Sequence, residues 1–145
     1  MWRLNQVSYR KVETLLRRSR AFLEAVFFHA KKGNYDVALH SLEVAMQLYF
    51  KAIILEHTGS YPEIHEIRQL LSKIVRITGS RRIADYVRKH RSQLLIIEHA
   101  YSAGKYGELN VSSEDFEELV KVGLECIKLV ASETSAKDIT ENLKE

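Results

Sequence analysis

Charged and aromatic side chains recur at helical spacing between residues 88 and 106, and they are the first candidates for chemistry. Seven residues form this set: Arg88, Arg91, Glu98, His99, Tyr101, Lys105 and Tyr106. On a continuous helix four of them would follow one stripe at steps of three and seven residues. Basic side chains can hold a phosphate, and a tyrosine at the stripe's border can bury its ring and present its hydroxyl. We therefore expect ligand or partner binding here, or else a clamp at the end of a core helix.

Other catalytic arrangements are missing from the sequence. No GxxxxGK or GxGxxG loop is present to cradle a phosphate. The six histidines form no pair at i and i+4, so local spacing predicts no zinc site. Cys126 is the single cysteine, which excludes a disulfide within the chain and a CxxC motif. The sequence thus predicts no catalytic residue, no metal and no cofactor.

Two other histidines have open roles. His90 falls among apolar residues, where it is either a core imidazole with one acceptor or a functional group at a cleft. His65 follows Pro62 and is expected to stabilise the turn there rather than to catalyse.

Positive charge gathers in two segments that could hold an anion. The first has Arg10, Lys11, Arg17, Arg18 and Arg20, and the second has Arg81, Arg82, Arg88, Lys89 and Arg91. Residues 1–107 contain 18 Lys and Arg against 9 Asp and Glu, whereas residues 108–145 contain 4 against 10. This asymmetry favours an anionic partner or self-association, and the alternative is that the charges solvate helix faces and pair with the acidic segment.

Apolar residues recur every three or four positions along five segments, and glycines separate them, which predicts an all-α fold. The short connections favour an up-and-down four-helix bundle with a short extra helix. We expect that extra helix at about residues 63–77, with Pro62 in its first position, and an unbroken fourth helix that ends near Tyr101. Residues 1–132 form the predicted domain, and residues 133–145 form a polar C-terminal tail that frays or makes a loose turn.

The composition also bears on location. No apolar run reaches the roughly 20 residues that span a bilayer, and the first residues lack the apolar core of a signal peptide. A cytoplasmic protein is expected. Low use of Gln, Asn, Cys and Met with abundant Ile, Arg and Lys is typical of a thermophile.

Several motifs resemble those of the HEPN family, the helical domains named for nucleotide binding in higher eukaryotes and prokaryotes. The matching segments are A-x-x-F-H (25–29), G-N-Y-D-x-A-L (33–39), the helix end 42–55, G-x-Y-P-x-x-H (59–65), the leucine pair 70–71, and A-Y-x-x-x-K-Y (100–106). No single motif is specific, but their order and spacing are. The resemblance covers most of the predicted bundle and implies a five-helix fold, frequently homodimeric.

The resemblance also implies functions. Many relatives accompany a separately encoded minimal nucleotidyltransferase, so we expect a homodimeric binding module that partners such an enzyme, in a toxin–antitoxin-like or stress module. Catalytic relatives are ribonucleases with Arg-x(4–6)-His, in which arginine holds the phosphate and histidine transfers a proton. No arginine here has a histidine at that spacing. A ribonuclease with a displaced site around Arg88, Arg91, His99 and Tyr106, and a nucleotide-binding sensor, remain the alternatives.

Overall fold

The helical periodicity of the sequence becomes six helices in the computed structural model, which describes residues 6–100 and 110–145. They are α1 (Gln6–Lys31), α2 (Tyr35–Thr58), α3 (Ile67–Thr78), α4 (Arg81–Lys89), α5 (Arg91–Glu98) and α6 (Ser113–Thr134). No strand occurs in these two ranges. The prediction of an all-α helical bundle is confirmed.

Helix α2 is the centre of the bundle. It contacts α1, α3, α5 and α6, and its apolar residues are almost all buried. Ala38, Ala45 and Ala52 are buried small residues that let α1 approach closely, and the buried Ser19 hydroxyl of α1 donates to the Ala45 carbonyl at 2.7 Å. Among the described helices α2 is also long and apolar enough to cross a membrane, but 72% of that window is buried inside the protein, as in a core helix.

Local signals set four of the helix ends. Gly59 and Gly79 adopt left-handed conformations and end α2 and α3, as predicted. The Ser80 hydroxyl caps α4 by accepting from the Ile83 N–H, and Ser112 caps α6 in the same way through the Asp115 N–H. The sequence alone suffices to predict these ends, because each cap uses residues within three or four positions of the helix end.

The start of α3 differs from the prediction. The helix begins at Ile67, not near residue 63, and Pro62 lies outside it. Its N-cap residue, Glu66, makes no side-chain cap. The Arg68 N–H in the first turn is bound instead by the carboxylate of Glu98, 30 residues away on α5, at 3.1 Å. A cap supplied from another helix leaves no local signal in the sequence.

The predicted unbroken fourth helix is also wrong, because it divides at His90 into α4 and α5. His90 departs from helical geometry at φ −109° and ψ 26°, although its N–H still bonds Tyr86 and its carbonyl still accepts from Leu94. Tyr86 in α4 bonds the Val122 carbonyl of α6, whereas Leu94 of α5 is fully buried in the core. The break lets each half meet its own neighbours.

The segment after α6 packs against α1 and α2 instead of fraying. Ile139 and Thr140 are buried, and the Tyr49 hydroxyl donates to the Lys137 carbonyl at 2.7 Å. The Arg20 guanidinium donates to the carbonyls of Ile139, Glu141 and Asn142. The expectation of a loose end is therefore wrong for these residues, while a domain boundary at residue 132 stays a prediction.

Candidate anion-binding surface and its surroundings

Glu98 is a buried carboxylate held by Arg68. The Arg68 guanidinium donates to it through two nitrogens, at 3.3 and 3.0 Å, and the Arg68 backbone N–H adds a third bond. The Glu98 side chain is only 3% exposed. Both carboxylate oxygens therefore bond Arg68 and connect α5 to α3. The pair was invisible in the sequence because 30 residues separate its members.

His99 follows directly on Glu98 and is exposed. Its Nε2 lies 3.8 Å from the Glu98 carboxylate, an ion-pair distance rather than a hydrogen bond. No arginine precedes His99 with four to six residues between them, so the ribonuclease spacing is absent at this histidine.

Arg88 and Arg91 lie on either side of the helix break. Arg88 makes an exposed ion pair with Asp85 at 3.6 Å, and Arg91 is exposed. The predicted common stripe through Arg88, Arg91 and Glu98 assumed one continuous helix, and the break at His90 removes that premise. Tyr101, Lys105 and Tyr106 lie outside the described residues.

Positive charge concentrates on α3, α4 and the first residue of α5. Residues 67–91 contain eight Lys and Arg and one Asp. Four of these cations are exposed and have no hydrogen-bond or ion-pair partner in the described structure: Arg76, Arg81, Lys89 and Arg91. We call these four residues the basic corner. The sequence had identified three of them, and Arg76 was missed because it belongs to the preceding helix.

A shallow open depression adjoins the basic corner between α4 and α6. It has a volume of about 460 Å³ and is lined by Arg82, Asp85, Tyr86, Lys89 and Leu129. Arg82 also pairs with Glu133 at 3.4 Å, and that glutamate accepts from the Ser80 hydroxyl that caps α4. The positive end of the α4 dipole adds to the local positive potential.

Tyr86 forms the wall of this depression. Its hydroxyl donates to the Val122 carbonyl at 3.0 Å and contacts the Glu125 carboxylate at 3.2 Å. Burial, with smaller effects from Cys126 and Glu125, raises the pKa of Tyr86 well above 10.0. Its ring packs on His90 at 4.2 Å between centroids, and the His90 Nδ1 is buried without a hydrogen-bond partner. His90 therefore packs on Tyr86, and its Nδ1 lacks the acceptor that the core-imidazole alternative assumed.

The first basic segment is less available to an anion. Arg10, Arg17 and Arg20 line a groove of about 930 Å³ between α1 and the C-terminal segment, but four acidic residues line it too: Glu13, Glu24, Asp138 and Glu141. Arg20 is already bonded to three backbone carbonyls. Mixed charge makes this groove a poor phosphate site.

The described residues contain no group of three or more His, Cys, Asp or Glu that could hold a metal ion. Cys126 lies fully buried on α6, and burial raises the pKa of its thiol to about 12, so it is not a reactive thiolate. Burial also lowers the pKa of His40 on α2.

Comparison with known proteins gives one match. The sequence model of the HEPN domain matches residues 12–134, which is most of the chain and reaches from α1 to the end of α6. No curated protein and no solved structure matches the chain significantly. The matched range contains most of the helical bundle, and the bundle is the fold that the resemblance implied. The chain therefore belongs to the HEPN domain family.

Proposed function

We propose that this HEPN-domain protein is a binding module for an anionic ligand, RNA or a nucleotide, and not a ribonuclease. One observation carries the proposal: the basic corner presents four exposed cations that have no ion-pair partner among the described residues, and one of them, Lys89, lines an open depression. Phosphate binding by an exposed arginine or lysine without a partner has a low free-energy cost, because no existing ion pair has to break first.

Ribonuclease chemistry is not proposed because the motif that carries it in this family is missing, and two arginines already have carboxylate partners. The Arg-x(4–6)-His spacing does not occur, Arg68 is bonded to Glu98, and Arg88 faces Asp85. The test is incubation of structured and single-stranded RNA with purified protein, which should leave both intact. Cleavage that disappears in His99→Ala would contradict this part of the proposal.

Binding is tested with fluorescently labelled single-stranded RNA at several salt concentrations. The triple variant Arg81→Gln, Lys89→Gln, Arg91→Gln should bind more weakly and reduce the slope of log Kd against log salt by about 2. The matched control Lys121→Gln, Lys128→Gln, Lys144→Gln removes the same net charge from exposed positions elsewhere and should retain the wild-type slope. Equal losses in both variants would show unspecific charge attraction.

The nucleotide alternative has its own measurement. If ATP or GTP is the ligand, it should raise the melting temperature of wild-type protein by mass action, and the triple variant should lose that rise. No change at millimolar nucleotide would leave RNA as the ligand class of this proposal.

A protein partner is the second candidate function. Leu95 and Ile96 are adjacent on α5 and 37% and 44% exposed, so together they present an apolar surface to solvent. We propose that α5 contributes to a contact with a second copy of the chain or with a minimal nucleotidyltransferase, the partner expected for this family. Ile96→Glu should then abolish a dimer measured by light scattering or co-purification of the enzyme, whereas Glu117→Lys on α6 should not.

A further inference from the structure

Lys51 is a largely buried lysine that has no carboxylate partner among the described residues. It lies on α2, and the residue is 9% exposed. Lysines are almost never fully buried unless they are paired, because removal of the charge from water is costly. No ion pair joins Lys51 to an acidic residue in the described part of the chain. Its polar neighbour is the Nδ1 of His65, at 3.4 Å.

A second cation approaches the same place from α1. The Nζ of Lys11 lies 4.7 Å from the centre of the Tyr61 ring, and the Nζ of Lys51 lies 5.8 Å from it. Tyr61 is half-buried and packs on an apolar cluster that includes Val12 and Leu55. Residues from α1, α2 and the α2–α3 loop therefore converge around one aromatic ring.

The acidic residues nearest in sequence to the two lysines, Glu13 and Glu56, do not pair with them. Glu13 of α1 accepts a hydrogen bond from the exposed Tyr9 hydroxyl, and Glu56 near the end of α2 is exposed. Neither glutamate forms an ion pair with Lys11 or Lys51. The cluster has two ammonium groups and one imidazole, and within the described residues the face of the Tyr61 ring, rather than a carboxylate, lies near both ammonium groups.

We infer that Lys51, Lys11 and His65 form a phosphate-binding site around Tyr61, for inorganic phosphate or the terminal phosphate of a small ligand. Lys51 supplies N–H donors from a fixed position, since α2 is the buried centre of the bundle. Lys11 is exposed on a flexible stem and can turn toward the anion. If Lys51 donates to Nδ1 of His65, the imidazole carries its proton on Nε2 and offers it to the ligand.

This site is distinct from the basic corner and does not depend on the proposed function. The cluster adjoins the beginning of α3, whereas the basic corner begins at the other end of that helix. The 12 residues of α3 span about 18 Å. The triple glutamine variant of the basic corner should therefore keep its response to phosphate, so the two proposals can fail separately.

The test is the melting temperature with increasing inorganic phosphate, with chloride keeping the ionic strength constant. Wild-type protein should show a saturable rise, and binding should be at least tenfold weaker in Lys51→Met. Lys11→Met should weaken it less, and Lys128→Met, an exposed lysine on α6, should match wild type. A methionine of similar length should keep the fold, since replacement of a buried charge by an apolar residue is often neutral or stabilising.

Two further arms complete the test. If Lys51→Met does not fold, His65→Gln and Lys11→Met at exposed positions decide the question.

Adenosine and ADP distinguish the sources of phosphate. Binding of ADP but not of adenosine assigns the site to a nucleotide's phosphate, and binding of phosphate alone assigns it to the free ion. No response of wild-type protein, or an equal response in Lys51→Met, overturns the inference.

Discussion

At the scale of single residues, buried charge divides into two kinds. Glu98 is buried and accepts three hydrogen bonds from Arg68, so its negative charge is compensated within the protein. Lys51 is largely buried, its neighbours are one imidazole and an aromatic ring, and no carboxylate among the described residues pairs with it. Removal of a charge from water costs free energy, so a bound anion beside Lys51 would be stabilising.

Replacement of Glu98 by alanine should lower the free energy of unfolding by about 2–3 kcal/mol, less than for a fully buried pair because Arg68 is partly exposed. The first turn of α3 should also lose its cap, which makes the Arg68 amide exchange faster with solvent. Urea unfolding and hydrogen exchange measure the two effects. Glu117→Ala, at an exposed position on α6, should change stability by no more than about 0.5 kcal/mol. A loss in Glu98→Ala no larger than in this control would contradict the structural role.

At the scale of helices, close contacts on α2 determine the bundle. α6 contributes Gly123 to its contact with α2, where an added Cβ would lie 2.9–3.2 Å from three atoms of the buried Leu42 side chain. The C-terminal segment is attached to α1 and α2 by backbone carbonyls that bond Arg20 and Tyr49. Both contacts are made by parts of the chain that are far apart in sequence.

Gly123→Ala should destabilise the protein by about 1 kcal/mol, because overpacking exceeds the gain in helix propensity. In a Leu42→Ala background the same change should become neutral or stabilising, since the added methyl then fills space. A double-mutant cycle of unfolding free energies checks this sign change. Additive effects would show that the two side chains do not meet.

Arg20→Met should cost about 2 kcal/mol and release the C-terminal segment, because the carbonyls of Ile139, Glu141 and Asn142 lose a charged donor. Faster hydrogen exchange in residues 136–145 would report the release. Arg17→Met changes an exposed arginine of the same groove and should leave exchange in that segment unchanged.

At the scale of the whole molecule, buried weak acids make stability sensitive to alkali. Burial raises the pKa of Cys126 from its ordinary 9.0 to about 12, and burial likewise raises the pKa values of Tyr49 and Tyr86 above 10.0. Below pH 9 these groups are protonated in both states, so their contribution is fully present. As the pH rises from 9 toward 12, the unfolded chain ionises first and the contribution is lost.

Between pH 7.5 and 10.5 the free energy of unfolding should therefore fall by about 2 kcal/mol from Cys126 alone, with smaller losses from the tyrosines. Urea unfolding at both pH values measures the fall. Cys126→Ala should be less stable at neutral pH but lose less on going to pH 10.5. The same fall in wild type and variant would exclude the thiol as its cause.

The sequence by itself determined the helical class, several helix ends and the family. Apolar spacing and caps such as Ser80 and Gly79 act within one turn, so neighbouring residues suffice to reveal them. It also showed that the Arg-x(4–6)-His spacing is absent and that residues 81–91 are basic. Which of those cations lack partners could not be read from it, because a counter-ion such as Glu133 comes from another helix.

Only the tertiary structure decided the contacts between distant residues. The break at His90, the cap that Glu98 gives to α3, and the meeting of Lys11, Lys51 and His65 depend on how helices pack. Side-chain burial and charge compensation are properties of these packed surfaces and not of local spacing. For that reason the sequence predicted the elements of this bundle, whereas the candidate sites between them became visible in the folded chain.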